Sequence, residues 1–176
     1  MKGGPKRPVC GGCPHDLHYV DAIPMRQYGV MTHMGERYCT GGKRARRFKK
    51  NDPKSCVPDW CPKRKNPCEL RVYGFRNEDE QLMHSFLCMD LGRPVLPSAF
   101  RYALKCSLHT ELTPQEFWKR YALEPVEDLL PVKVELYHVM EIDDGLKPAF
   151  FYRTEQGFEY LSSFNTDKIQ KKVKGD

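Results

Sequence analysis

The sequence predicts an α+β protein in two unequal parts. A small Cys-rich N-terminal module packs on a body that has a central group of helices and a C-terminal antiparallel β-meander. Three observations carry this reading. Charge and cysteine are concentrated at the front, capped segments of helical period fill the middle, and alternation of period two, broken by turn tripeptides, closes the chain. With 176 residues, 40% hydrophobic and 11% aromatic, the chain suits one domain with a small appended module and a core of modest size, and wholesale disorder is excluded. A mean hydropathy of −0.66, with no run near the roughly eighteen apolar residues of a membrane span, excludes that class. Met1–Arg7 is basic and leads into Cys, Gly and Pro rather than the apolar segment of a secretory signal, so a cytoplasmic location is expected.

Residues 1–68 hold 15 Lys and Arg against 5 Asp and Glu, a local charge of +10, and six of the eight cysteines. Residues 69–176 carry −4, and the two give the overall +6. The expected division is a basic Cys-rich module over 1–68, an α+β body over 69–165 and a Lys-rich tail over 166–176.

The first cysteine pair is Cys10-Gly11-Gly12-Cys13-Pro14. In a reducing compartment, clustered thiols hold metal more often than they form disulfides. A two-residue gap lets both sulfurs face one ion, and the glycines permit the turn. No strand precedes the pair and no helix follows, so a thioredoxin-like reading fits poorly. A second half-site must come from Cys39, Cys56, Cys61 or Cys68, with His15 a further donor. Cys61 sits in the stiff knuckle Val57-Pro58-Asp59-Trp60-Cys61-Pro62, and Cys39 lies between Tyr38 and the turn Thr40-Gly41-Gly42. The order C-x-x-C-P, Tyr-Cys, Pro-x-Trp-Cys-Pro resembles the short Cys-rich proteins of phages and mobile elements of Firmicutes, over roughly residues 10–62.

That resemblance implies one structural zinc ion held by Cys10, Cys13, Cys39 and Cys61. This chain inserts a basic run between the third and fourth of these and adds Cys56 and Cys68, which with His15 stand as substitute donors. An iron–sulfur cluster would use the same thiolates, and free or redox-active cysteines are the remaining alternative. A closed four-ligand site is structural, and it would supply folding energy that a core-poor module lacks. His84 with Cys88 and Cys106 with His109 have helical spacing for a second Cys2His2 site, but buried structural cysteine is the stronger expectation for both pairs.

Lys43-Arg44-Ala45-Arg46-Arg47-Phe48-Lys49-Lys50 places six cations in eight residues, and Lys63-Arg64-Lys65 follows Cys61. If Cys39 and Cys61 share an ion, the run loops out between them and returns beside residues 63–65. Such a patch suits phosphate, with bidentate arginines and Phe48 as a stacking surface. It suits an acidic protein equally well. Gly41-Gly42-Lys43 lacks P-loop spacing.

In the body, Leu70–Phe75 alternates as a strand. Asn77 offers an N-cap ahead of three acids, and a helix is expected to Leu91, stopped by Gly92. Its stripe of Leu82, Phe86 and Met89, widened by Met83, Leu87 and Leu91, predicts a well-buried helix. A second helix is expected from Ser98 to His109, with Phe100, Leu104 and Leu108 on one face. Thr113-Pro114-Gln115-Glu116 starts a third, with Phe117, Trp118 and Tyr121 as anchors. Val132, Val134, Leu136 and His138 alternate as a strand, and strands at Phe150–Arg153 and Phe158–Phe164 complete the meander around turns at Asp143-Asp144-Gly145 and Glu155-Gln156-Gly157.

No paired acids, nucleophile–base set or phosphate loop stands out. Asp143 and Asp144 are turn residues, Glu141 has no ligating companions, and His138 reads as a strand histidine. His15-Asp16-Leu17-His18 is too thin a basis for a hydrolytic metal site. The expected function is therefore non-enzymatic binding of nucleic acid or a nucleoprotein complex, with no membrane or small-molecule partner. A second reading is an inhibitor of a host defence effector, anti-CRISPR-like, that blocks a nucleic-acid-guided nuclease. A thiol-based redox or metal-handling protein is the third.

Overall fold

The computed structural model describes residues 10, 13–20, 35–53, 56–121 and 130–169. Gly11 and Gly12 of the first cysteine turn and residues 170–176 of the Lys-rich tail lie outside them. The fold is α+β, with two α-helices and two antiparallel sheets among the described residues.

The front sheet contains β1 (Asp16–Val20), β2 (Gly35–Cys39) and the two-residue β3 (Arg46–Arg47), in that order. Asp16 pairs with Cys39, and Cys39 in turn pairs with Arg46. The second sheet has the order β5-β4-β6-β7-β8 and comprises β4 (Cys68–Phe75), β5 (Tyr102–Thr110), β6 (Val139–Asp143), β7 (Ala149–Thr154) and β8 (Gly157–Leu161).

Both faces of this sheet are covered, which is why β7 is buried along its whole length. Leu70, Val72, Met140, Ile142 and Phe151 point to one face and pack on Phe117 and Tyr121 at α2 (Pro114–Arg120). Tyr73, Phe75, Val139, Phe150 and Tyr152 point to the other and meet Cys88 of α1 (Glu78–Leu91). A register irregularity between Val72 and Tyr73 lies where β4 passes from one core to the other.

The helix signals hold at α1 and α2. The Asn77 side chain accepts from the Glu80 N–H at 2.9 Å, and Gly92 closes α1 in the left-handed region at φ 59°. Thr113 Oγ1 accepts from the Glu116 N–H at 3.1 Å. Three expectations are corrected. Residues 102–110 form strand β5, preceded by a short 3-10 turn at Ala99–Arg101, not a helix from Ser98 to His109. The alternation at 132–138 is not a strand: Val134 packs into the core, whereas Tyr137 turns the chain at φ 64° before β6 begins at Val139.

The third correction concerns α1, which is not buried on its Leu-Phe-Met stripe. Its buried face is His84 and Cys88, while Leu82, Met83, Phe86, Leu87, Met89 and Leu91 are exposed. His84 hydrogen-bonds Tyr152 Oη at 2.6 Å, with Phe75 and Tyr137 each 5.1 Å away by ring centroid. No helix among the described residues is long and apolar enough to cross a membrane.

Packing is continuous across residue 68. Cys56 belongs to the same core cluster as Leu70, Phe117 and Phe151. The Asp59 N–H donates to Gln115 Oε1 at 2.8 Å, and the Thr113 hydroxyl donates to the Asp59 carboxylate. The Lys65 N–H reaches the Asp144 carbonyl at 2.7 Å.

Candidate functional site

Two turns and a strand end bring the four front cysteines around one space. The Cys13 N–H donates to the Cys10 carbonyl at 2.9 Å, and the Asp16 N–H then donates to the Cys13 carbonyl at 3.0 Å, which launches β1. The β1–β2 register carries this turn to the end of β2. There the Thr40 N–H donates to the His15 carbonyl at 2.8 Å and fixes Cys39 beside it. On the far side the Cys61 N–H donates to the Pro58 carbonyl at 2.9 Å, forming the knuckle expected from the flanking prolines.

Cys10, Cys13, His15, Cys39 and Cys61 line one cavity of about 680 Å³, closed by Val57, Lys63 and, from the body, Leu146 and Lys147. Burial pushes the Cys10 thiol up to about 11. Arg37 opposes the shift, and negative charge on Cys61, Cys13 and Asp16 adds to it. Cys61 is also raised by burial; the backbone at Lys63 and Arg64 favours its thiolate, while Cys39 disfavours it. Thiols that each disfavour ionisation of the next would stay protonated at neutral pH, and a soft divalent cation that replaced those protons would suit this donor set in chemistry. The sulfurs share cavity walls without closing on a point: among the described residues, no three Cys, His, Asp or Glu side chains are placed to hold a metal ion.

The remaining cysteines lie elsewhere. Cys56 and Cys68 are buried in the body core, and Cys68 Sγ sits 3.5 Å from Arg64 Nη1. His84 and Cys88 face the core under α1. Cys106 and His109 are three residues apart on strand β5, a spacing that points their side chains to opposite faces. These two pairs do not converge.

The basic run is built into the front sheet. Lys43, Arg44, Arg46, Arg47, Lys49, Lys50, Lys63 and Lys65 are exposed, and Arg64 is half-buried. Two contacts set residues 43–50 beside 60–65. The Arg46 guanidinium lies 4.4 Å over the Trp60 ring, and Phe48 packs against the same ring. Phe48 is not a free stacking surface, because its ring packs on Trp60 at 5.1 Å and lies under the Arg37 guanidinium at 4.6 Å. Arg37 also grips Asp16 in a two-pronged pair at 2.9 and 2.6 Å, and Arg47 pairs with Glu36.

Comparison with family models, curated proteins and solved structures finds no match.

Sequence reasoning passed over Arg37, which joins the cysteine turn to Phe48. It also passed over Leu146 and Lys147, which reach the cavity from beyond the Gly145 turn. An isolated arginine in a basic module and two ordinary turn residues carry no local signal. Glu141, Asp144 and His138 of the body are engaged in the fold. Glu141 accepts from Tyr73 Oη and Arg71, and Asp144 Oδ1 accepts from the N–H groups of Leu146 and Lys147. His138 packs over Gly74, where a Cβ would come within 2.6 Å of its Nε2.

Proposed function

We propose that this chain is a non-enzymatic, zinc-stabilised binding protein of phage or mobile-element type that contacts the phosphate backbone of nucleic acid, alone or in a nucleoprotein complex, within the reducing cytoplasm. The observation that carries the reading is the ordered juxtaposition of residues 43–50 with the 60–65 segment, held by Arg46 and Phe48 packing on Trp60. Exposed cations on a fixed frame, with both neighbouring aromatic rings already packed on guanidinium groups and on each other, favour phosphate contacts over base stacking. Such contacts position a protein on nucleic acid without reading its sequence.

Cys10, Cys13, Cys39 and Cys61 would hold the ion, which would bind by displacing the thiol protons and would tie the two turns together. The residues of the chain supply the rest. The backbone at Lys63 and Arg64 favours the Cys61 thiolate, and Arg37 ties the start of β1 to the basic strand.

Two measurements test this. Elemental analysis of protein purified without chelator is expected to find one zinc per chain, lost in Cys39→Ser and kept in Cys56→Ala; absence of metal rejects the site. Binding of a labelled duplex is expected to weaken steeply with salt. Arg44→Ala with Arg47→Ala and Lys49→Ala is expected to make that salt slope shallower by about 0.9 for each phosphate the variant no longer neutralises. A salt-independent response rejects the phosphate reading. Binding confined to an acidic protein would instead favour the inhibitor reading.

A further inference from the structure

We infer that the outward face of α1 is a docking site for an amphipathic helix of a partner protein, one whose apolar stripe is bracketed by Lys or Arg. A helix that packed in the usual way would turn its leucines and aromatics inward. Here only His84 and Cys88 are buried, while Phe86 is 56% and Met89 73% exposed, accompanied by Leu82, Met83, Leu87 and Leu91. Together these side chains present on the order of 600 Å² of apolar surface, the upper end for the largest patch on an ordinary monomer and near one side of a standard interface.

Charge determines what fits there. Positions 79, 83, 86 and 90 fall on one row of the helix, so Asp79 and Asp90 close an apolar stripe formed by Met83 and Phe86, with Leu82 and Met89 beside it. The two carboxylates stand about 16 Å apart along the axis. The helix also carries Glu78 and Glu80 and has no Lys or Arg. Glu80 is engaged by Arg101 at 3.4 Å, whereas Asp79 and Asp90 make no ion pair among the described residues.

A partner helix presenting about three turns of apolar side chains, with a cation at each end, matches both the surface and its charge. A second copy of this chain matches poorly. An antiparallel pair sets Asp79 against the other copy's Asp90, and a parallel pair sets like on like. Nucleic acid is repelled by the same acids. This surface is therefore chemically distinct from the basic front module, and its occupant does not depend on what that module binds.

The test uses the full chain and a labelled synthetic Leu/Lys helical peptide with lysines bracketing a three-turn leucine stripe. A Leu/Glu version and a scrambled Leu/Lys version serve as controls. The Leu/Lys peptide is expected to bind with a Kd in the micromolar range, weakened about tenfold or more by Phe86→Asp. Asp79→Asn with Asp90→Asn is expected to weaken it about threefold and to flatten its salt dependence. All three positions face solvent, so circular dichroism should be unchanged.

Equal binding of the Leu/Glu or scrambled peptide overturns the proposal, as does indifference to Phe86→Asp or no binding at all. A solution dimer dissociated by Phe86→Asp also overturns it, assigning the face to a second copy.

Discussion

At the scale of single residues, the molecule distinguishes groups that must stay neutral from groups left to water. His84 is 3% exposed, and burial, with a smaller push from Arg101, holds its pKa below the ordinary value of about 6.5. It lies among Phe75, Tyr137 and Tyr152, close to Cys88 of its own helix. The folded state therefore keeps the ring neutral, and the stability this gives is present above the unfolded value and lost as pH falls below it. His138, lowered by burial against the pull of Glu135, acts in the same direction. The melting temperature is expected to drop between pH 7 and about pH 5. His84→Gln cannot ionise and keeps a partner for Tyr152 Oη, so it should flatten that slope; an unchanged slope in this variant would exonerate His84.

Among elements, the two helices are held by opposite means. Phe117 on α2 is fully buried, with ring centroids of Phe151 and Phe158 at 4.5 and 5.0 Å. Phe117→Ala should cost about 3–5 kcal/mol in urea unfolding, whereas Phe86→Ala on α1 should cost less than about 0.5 kcal/mol despite removing the same atoms. Equal costs would mean that the apolar face of α1 is covered after all.

Both ends of α1 and the start of α2 were legible in the sequence because caps are local chemistry: Asn77, Gly92 and Thr113 act through their own neighbours. The buried face of α1 was not legible, since a pattern of apolar residues marks a face without saying what meets it. Strand β5 was misread for another reason. Phe100, Leu104 and Leu108 recur every four residues, a spacing shared by one helix face and one strand face. Tyr102 faces one core and Cys106 with Leu108 the other, and the register irregularity between them leaves Leu104 exposed, so no unbroken period of two was there to read; pairing with β4 is what makes the segment a strand. At 132–138 the alternation was real, but it builds no strand: backbone bonds with Arg153 of β7 begin at Tyr137 and His138, where the chain turns into β6.

For the whole molecule, the front sheet is small and leans on side-chain chemistry, whereas the second sheet has a core on each face. On the zinc reading, a chelator should speed amide exchange of β2 and β3 well before it touches β4, β6 or β7. Exchange that rises equally in both sheets would show one cooperative unit with no separate dependence on metal. The four cysteines and the basic run were visible in the sequence as one module. Their dependence on the body was not, because Leu146 and Lys147 reach the cavity only through folding.

That last contact also bears on the order of synthesis. The final wall of the cysteine cavity is translated more than eighty residues after Cys61, on the order of ten seconds later at ribosomal rates. Until then the front cysteines have left the ribosome without their enclosure and stand open to oxidation or to a competing ion. The body thus acts on its own N-terminal half much as a late-arriving chaperone would, and a nascent chain halted before Leu146 should show front thiols that react faster than those of the finished protein.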